Sequence, residues 1–302
     1  MKKLLLTMSL LPSLCFADTV DQMADKIESK VIQWRHHLHQ NPELSNREVK
    51  TAKYIAEHLE SLGLEVQTEV AVTGVVAILD SGKPGPVVAL RADIDGLPVL
   101  EKNDLPWKSV ARGEYNGKDV PVMHACGHDV HTTSLLGTAA ILMRLKSQMK
   151  GSVKLIFQLG EEKLPGGASM MIEAGVLQNA IPDSIVGQHV YPELEAGKVG
   201  FRSGKYMASA DEIHLTVIGK GGHAALPDRN IDPVLIASHI IVALQQVVSR
   251  RVHPGLPCVL SFGKVEANGA TNVIPDQVKI AGTFRTFDEE WRSKAHGIIT
   301  DI

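Results

Sequence analysis

Four short apolar runs, Val75–Leu79, Val87–Leu90, Val153–Gln158 and Ile185–Val190, are rich in β-branched residues, punctuated by glycine and proline, and set among segments with helical periodicity. Strands that read as near-continuous apolar runs suit a sheet covered on both faces. The helical candidates are Val20–His39, Arg47–Leu62, Val130–Met149 and Gly167–Leu177. Ser45 and Glu48 read as a capping box for the second of these, and Gly63 ends it. The alternation predicts an α/β layer with a central sheet flanked by helices.

The character changes around Phe201–Tyr206. Glu212–Ile218 alternates like a half-exposed strand, Asp232–Arg250 is an amphipathic helix, Val259–Val265 and Gln277–Arg285 are strands, and Asp288 is placed to cap a final helix. That β-α-β-β-α order is the order of a ferredoxin-like unit. The expected layout is a leader over 1–17, an α/β domain over 18–200 and a smaller α+β domain over 201–302. An inserted domain has both ends in its parent, so the chain reads as truncated, with no returning segment for the α/β domain.

The 302 residues, 44% hydrophobic and 22% charged, fit a soluble globular protein of one large or two ordinary domains. A formal net charge of -3 with no long basic run leaves no electrostatic footprint for nucleic acid or an anionic membrane. At the start stand Lys2-Lys3, an apolar run from Leu4 to Phe16, and a small-x-small ending at Cys15 and Ala17. This is the pattern of a secretory signal cut before Asp18, and it predicts a periplasmic or secreted protein without membrane attachment.

In sheets of this class ligands collect at the carboxyl ends of strands. Polar residues stand there: Arg91, Asp93 and Asp95 after Leu90, Glu161 and Glu162 after Leu159, and His189 near the end of Ile185–Val190. Ahead of the helix Val130–Met149 lies His124-Ala-Cys-Gly-His-Asp129. Cys126 and His128 offer a thiolate and an imidazole two positions apart, able to grip one ion if Gly127 lets the backbone bend. With Glu162 and His189 they form a candidate ligand set for a catalytic zinc or manganese, and Glu161 is the candidate base for a water proton. The same donors accommodate cobalt or nickel, as one ion or two. A disulfide between Cys126 and Cys258 is the competing use of the thiol in an oxidising compartment. His124 reads as a residue supporting the ligands, and His131 as a polar position on the helix. His223, within Gly219-Lys-Gly-Gly-His-Ala-Ala225, is either a donor to a developing oxyanion or the surface histidine of an ordinary glycine-rich hairpin.

Seven motifs run in order: Leu90-Arg-Ala-Asp-Ile-Asp-Gly-Leu-Pro98, His124-Ala-Cys-Gly-His-Asp129, Glu161-Glu162, His189-Val-Tyr-Pro192, Gly221-Gly-His-Ala-Ala225, Asn272-Val-Ile-Pro-Asp276 and Gly282-Thr-Phe-Arg285. From about Val31 to Phe287 the chain resembles the aminoacylase/carboxypeptidase metallopeptidases, in the branch of hippurate hydrolases, N-acyl-amino-acid amidohydrolases and auxin-conjugate hydrolases. The resemblance implies a metallopeptidase catalytic domain with a ferredoxin-like lid and dimerisation domain. It implies Cys126, His128, Glu162 and His189 as metal ligands, Glu161 as general base, and His223 as a lid histidine reaching a neighbouring subunit's site. Asn272 and Arg285 match lid positions near the substrate and its carboxylate, and the implied active form is a homodimer. The implied reaction is metal-dependent hydrolysis of the amide joining an acyl group to an amino acid. A dipeptidase or carboxypeptidase with the same site, and an inactive fragment with residual metal binding, are the alternatives. The chain departs from the family pattern in having Leu159-Gly160 where Pro-Ala is usual, Asp228 where a histidine often follows Pro227, and no counterpart of the last histidine ligand.

Overall fold

A computed structural model describes residues 11–302. The leader expected over 1–17 lies, for residues 1–10, outside them. From Leu11 the backbone is already helical, and α1 (Leu11–Gln40) is followed by α2 (Val49–Ser61). Gly63, at φ 83°, ends the second helix: its N–H donates to Glu60 O (2.8 Å) and the next N–H to Leu59 O (3.2 Å). The expected capping box is not formed. Glu48 occupies the N-cap without a side-chain cap bond, because both members of the pair are claimed elsewhere: Ser45 Oγ donates to Asp95 Oδ2 (2.6 Å), and Glu48 is buried among partners from other segments.

Strands β1 (Val66–Val70), β2 (Gly74–Asp80), β3 (Val87–Asp93), β6 (Ser152–Gln158) and β7 (Ser184–Gly187) form one mixed sheet in the order β1-β2-β6-β3-β7. The intervening β4 (Arg112–Tyr115) and β5 (Lys118–Pro121) make a separate hairpin. β3 runs parallel to both β6 and β7, while β2 is antiparallel to β6 and to β1. Side-chain alternation explains the apolar runs. Val75, Ala77, Leu79, Leu155 and Phe157 pack on one face with Ile55 and Leu59 of α2 and Leu135, Leu136 and Ala139 of α3 (His128–Leu145). Val76 and Ile156 point to the other face and meet Met171 of α4 (Gly167–Glu173). Each of the buried Val, Leu, Ile, Phe and Met side chains contributes roughly 1.5–3 kcal/mol, so the sheet is fixed from both sides.

The chain divides into two compact units at Glu195/Ala196. The second comprises β8 (Asp211–Ile218), β9 (Gly222–His223), α5 (Pro233–Leu244), β10 (Cys258–Glu266), β11 (Val273–Ile274), β12 (Gln277–Thr286) and α6 (Glu289–Asp301). Its main sheet is antiparallel in the order β10-β12-β8, so the expected β-α-β-β-α succession is present. Asp232 caps α5 by accepting from Val234 N (2.8 Å), and Asp288 caps α6 by accepting from Trp291 N (2.8 Å). Leu244, Leu260, Phe284 and Trp291 form the centre of this unit's core.

Candidate metal centre

Adjacent parallel strands β6, β3 and β7 deliver their carboxyl ends to one edge of the sheet, and the chain leaves each with a polar group. Asp93 closes β3 and Asp95 follows; Glu161 and Glu162 follow β6; His189 lies just beyond β7, which stops at Gly187 rather than continuing to Val190. α3 begins at the same edge. The residue before it, Gly127, has φ 87°, in the left-handed region open to glycine, and this turn sets Cys126 and His128 toward a common point.

Donor atoms of Cys126, His128 and His189 all lie within 4.8 Å of one another, as do those of His128, Glu161 and Glu162. Cys126 Sγ is 3.4 Å from His189 Nε2, and His128 Nε2 is 3.9 Å from a carboxylate oxygen of both Glu161 and Glu162. Two of these atoms, His128 Nε2 and Glu162 Oε1, are buried without a hydrogen-bond partner among the described residues. Leaving such groups bare costs about 1–3 kcal/mol each, which an ion between them would offset. Donors spaced 3.4–3.9 Å apart fit metal–ligand bonds of about 2.0–2.3 Å to one centre. The donor set therefore fits a divalent ion. The other use considered for the thiol is not made: Cys126 and Cys258 are both free.

Electrostatics follow from burial and neighbours. Burial opposes charge on His128, but its hydrogen bond to Asp95 and the negative charges of Asp93 and Asp95 outweigh it and lift the ring to about 11. Burial also raises Glu162, and the adjacent Glu161 adds to the effect. Asp93, buried beside the Arg91 guanidinium, is pushed up by burial to about 6, with Arg91 opposing.

The ligands are held by groups behind them. His128 Nδ1 lies 2.9 Å from Asp95 O and 3.1 Å from Asp95 Oδ1, which turns Nε2 toward the cluster. Asp95 Oδ2 accepts from Ser45 Oγ (2.6 Å) and from the backbone N–H of Glu162 (3.0 Å). Glu48 accepts from the backbone N–H of Gly160 (2.8 Å). His131 does more than occupy a polar helix position. It is fully buried, its Nε2 accepts from Val190 N (3.0 Å), and its ring lies 4.5 Å from that of His189, so it sets the loop carrying a ligand. Burial, aided by the charge on His128, lowers it to about 3 and keeps it a neutral acceptor. Its spacing of three from His128 on one helix puts both rings on one face, a signal available in the sequence. His124 is buried with neither ring nitrogen partnered among the described residues, and burial lowers it to about 4.

Behind the helix start, His39 of α1 bridges two buried carboxylates, with Nδ1 2.9 Å from Asp129 Oδ2 and Nε2 3.0 Å from Glu101 Oε1. Arg35 Nε donates to the same Asp129 oxygen (2.9 Å).

The remaining expected residues lie in the second unit. His223 is exposed on β9, opposite Val273; its Nδ1 accepts from Ala225 N (3.1 Å), so in the neutral ring the proton is on Nε2. Asn272 adjoins it, its carbonyl accepting from Ala224 N (3.0 Å). Arg285 is exposed on β12, opposite Val259.

A sequence profile described as peptidase family M20/M25/M40 matches residues 89–283. An N-acyl-L-amino acid amidohydrolase of Geobacillus stearothermophilus is 43% identical over 275 residues, which are 91% of this chain and 72% of that protein. An N-acetyl-L-cysteine deacetylase of Bacillus subtilis (strain 168) is 43% identical over 268 residues, 89% of this chain and 62% of the relative. Among solved structures, the Bacillus subtilis YXEP protein, a dinuclear metal-binding peptidase from the M20 family, superposes with a TM-score of 0.69 at 37% identity, covering 92% of this chain and 71% of its own. This chain thus spans 62–72% of the length of these proteins.

Proposed function

The chain belongs to peptidase family M20/M25/M40, and from that premise we propose that it hydrolyses the amide bond of N-acyl amino acids at a divalent-metal site made by Cys126, His128, Glu162 and His189. The observation that carries this reading is the pair of carboxylates equidistant from His128 Nε2. Glu162 has a side chain only 19% exposed and an orphaned oxygen, whereas Glu161 is 40% exposed. The buried one suits ligation, and the open one suits exchange of protons with water.

Cys126, His128, Glu162 and His189 would hold a divalent ion, which would supply Lewis acidity to a carbonyl and lower the pKa of water toward ~7. Glu161 takes the proton from the attacking water and passes it to the leaving amine. Asp95 holds His128 in the orientation that presents Nε2, and His131 holds Val190 and with it His189. His223 acts as hydrogen-bond donor to the developing oxyanion through Nε2, and Asn272 and Arg285 take the substrate and its carboxylate. In this reading His223 serves the site of a second copy in a homodimer. Exposed Leu235, Ile236 and Val242 along α5 support a buried partner surface on the second unit. Zinc, manganese, cobalt or nickel fits the mixed donors. The basic, apolar and small-residue succession of residues 1–17 supports export to the periplasm or beyond.

The test is parallel hydrolysis of N-acetyl amino acids, N-benzoylglycine and dipeptides, before and after chelation and metal re-addition, with metal content measured in Glu161→Ala. The expected outcome is amide cleavage of the N-acyl substrates that chelation abolishes, and a Glu161→Ala protein that retains its metal without turnover. Loss of metal in that variant would reverse the roles of the two glutamates, and cleavage of dipeptides alone would move the activity to a dipeptidase.

A further inference from the structure

The general base assigned above sits between two backbone amides that are each pinned by a buried carboxylate. The N–H of Gly160 donates to Glu48 Oε1 (2.8 Å), and that of Glu162 to Asp95 Oδ2 (3.0 Å). Both carboxylates are joined to one short turn, since Ser45 Oγ donates to Asp95 Oδ2 (2.6 Å) and Asn46 N donates to Glu48 Oε1 (2.9 Å). Glu48 is wholly buried, and its second oxygen accepts from Thr73 Oγ1 (2.6 Å). Burial pushes the Glu48 carboxyl up from its ordinary value, and the hydrogen bonds donated by Thr73, Gly160 and Asn46 oppose that rise. The turn is packed as well as bonded: Gly160 has φ 54°, and a Cβ there would lie 2.5 Å from Asn46 Oδ1. A helix N-cap needs none of this, and Glu48 makes no cap bond. Its carboxylate is spent on a segment 112 residues away in sequence.

We propose that Glu48 is a positioning residue for Glu161: by holding the Gly160 amide while Asp95 holds that of Glu162, it fixes the turn that aims the base. The inference rests on the proposed hydrolytic role of Glu161. Misplacing a reacting group by about 1 Å costs up to about a hundredfold in rate without a matching loss of binding.

Two variants of the full chain separate reach from charge. Glu48→Gln keeps an acceptor at the position of Oε1 and loses the charge; Glu48→Asp keeps the charge but withdraws the carboxylate by about 1.5 Å, beyond hydrogen-bond reach of Gly160 N. We expect Glu48→Gln to keep kcat on an N-acyl amino acid within about threefold, and Glu48→Asp to lose about ten- to a hundredfold in kcat with KM and metal content unchanged. Amide hydrogen exchange at Gly160 should accelerate in Glu48→Asp and stay near wild type in Glu48→Gln. Equal losses in both variants, a better enzyme in Glu48→Asp, or unchanged Gly160 exchange in Glu48→Asp would each overturn the proposal. A wild-type chain inactive on N-acyl amino acids would refute the function instead, because the exchange measurement stands without turnover.

Discussion

Gly127 is the joint on which the thiolate and imidazole depend, and Gly127→Ala should weaken metal binding far more than its single methyl suggests. At φ 87° an alanine bears a left-handed cost of about 1–2 kcal/mol. The added Cβ would also penetrate Cγ2 of Val190 and sit 3.6 and 3.7 Å from its Cβ and Cγ1. Val190 follows His189 and is tied to His131, so it cannot withdraw without moving a ligand. Overpacking of that kind costs about 1–3 kcal/mol. The sum, about 2–5 kcal/mol, falls on whichever state holds the ligands together, and at about 1.4 kcal/mol per decade it predicts an affinity loss from about 30-fold to a few thousandfold. Competition of the protein with a chelator for Co2+ or Zn2+ measures it, alongside the thermal midpoint of the metal-free chain. The three atoms nearest the new Cβ all belong to Val190, so Gly127→Ala/Val190→Ala should regain most of the steric share and retain the backbone share. Wild-type affinity in the single variant, or no recovery in the double one, would show that the Cys126–His128 turn is not what sets the site.

Gly160→Ala should lower kcat about tenfold, through a left-handed alanine and a push on Asn46, and adding Asn46→Gly should restore most of it by removing the oxygen 2.5 Å from the new Cβ; no recovery would separate the two residues. His39 gives a pH dependence. The hydrogen bond to Asp129 raises it above 6.5, with burial opposing and Glu101 adding, so the stabilisation from its charge is full below about 6.5 and is lost as pH rises through the raised value. Asp129 works in the other direction: burial opposes its charge but His39 holds it down at about 2, so its share is lost only as pH falls that far. The difference in urea-unfolding free energy between wild type and His39→Gln should therefore be larger near pH 6 than near pH 9. A difference that grew with pH would mean that His39 is neutral in the fold.

What could be read ahead of the structure follows from how much each feature depends on sequence neighbours. β2, β3 and β6 announce themselves because strands covered on both faces carry apolar residues on both, Lys154 being the buried exception in β6, where its ammonium donates to Val176 O. β1 does not, since Val66–Val70 lies at the sheet edge with Gln67, Thr68 and Glu69 exposed. The hairpin Arg112–Pro121 carries the signal Asn116-Gly117, with both residues at positive φ (52° and 73°), but its strands are short and polar and give no apolar pattern of their own. The ligand candidates are legible because Glu161, Glu162 and His189 follow strand ends, where ligands collect, and Cys126 and His128 flank a glycine at a helix start.

The groups that hold those candidates in place were hidden for a different reason. Ser45 and Glu48 fit a capping box by spacing, and only the tertiary fold offers them Asp95 and Gly160 as better partners. A buried carboxylate gains more from three converging donors than from one amide at a solvent-facing helix end, because hydrogen bonds to a charge strengthen as water is excluded. Sequence-local rules rank the cap first since they see only the neighbouring amide. When an apparent capping residue is followed by an apolar helix packed on the sheet, as Ile55, Ala56 and Leu59 are in α2, the start of that helix is itself drawn toward the interior. Its polar side chains are then available to the strand-end loops, and a cap motif in that setting is a place to look for the supports of a catalytic turn.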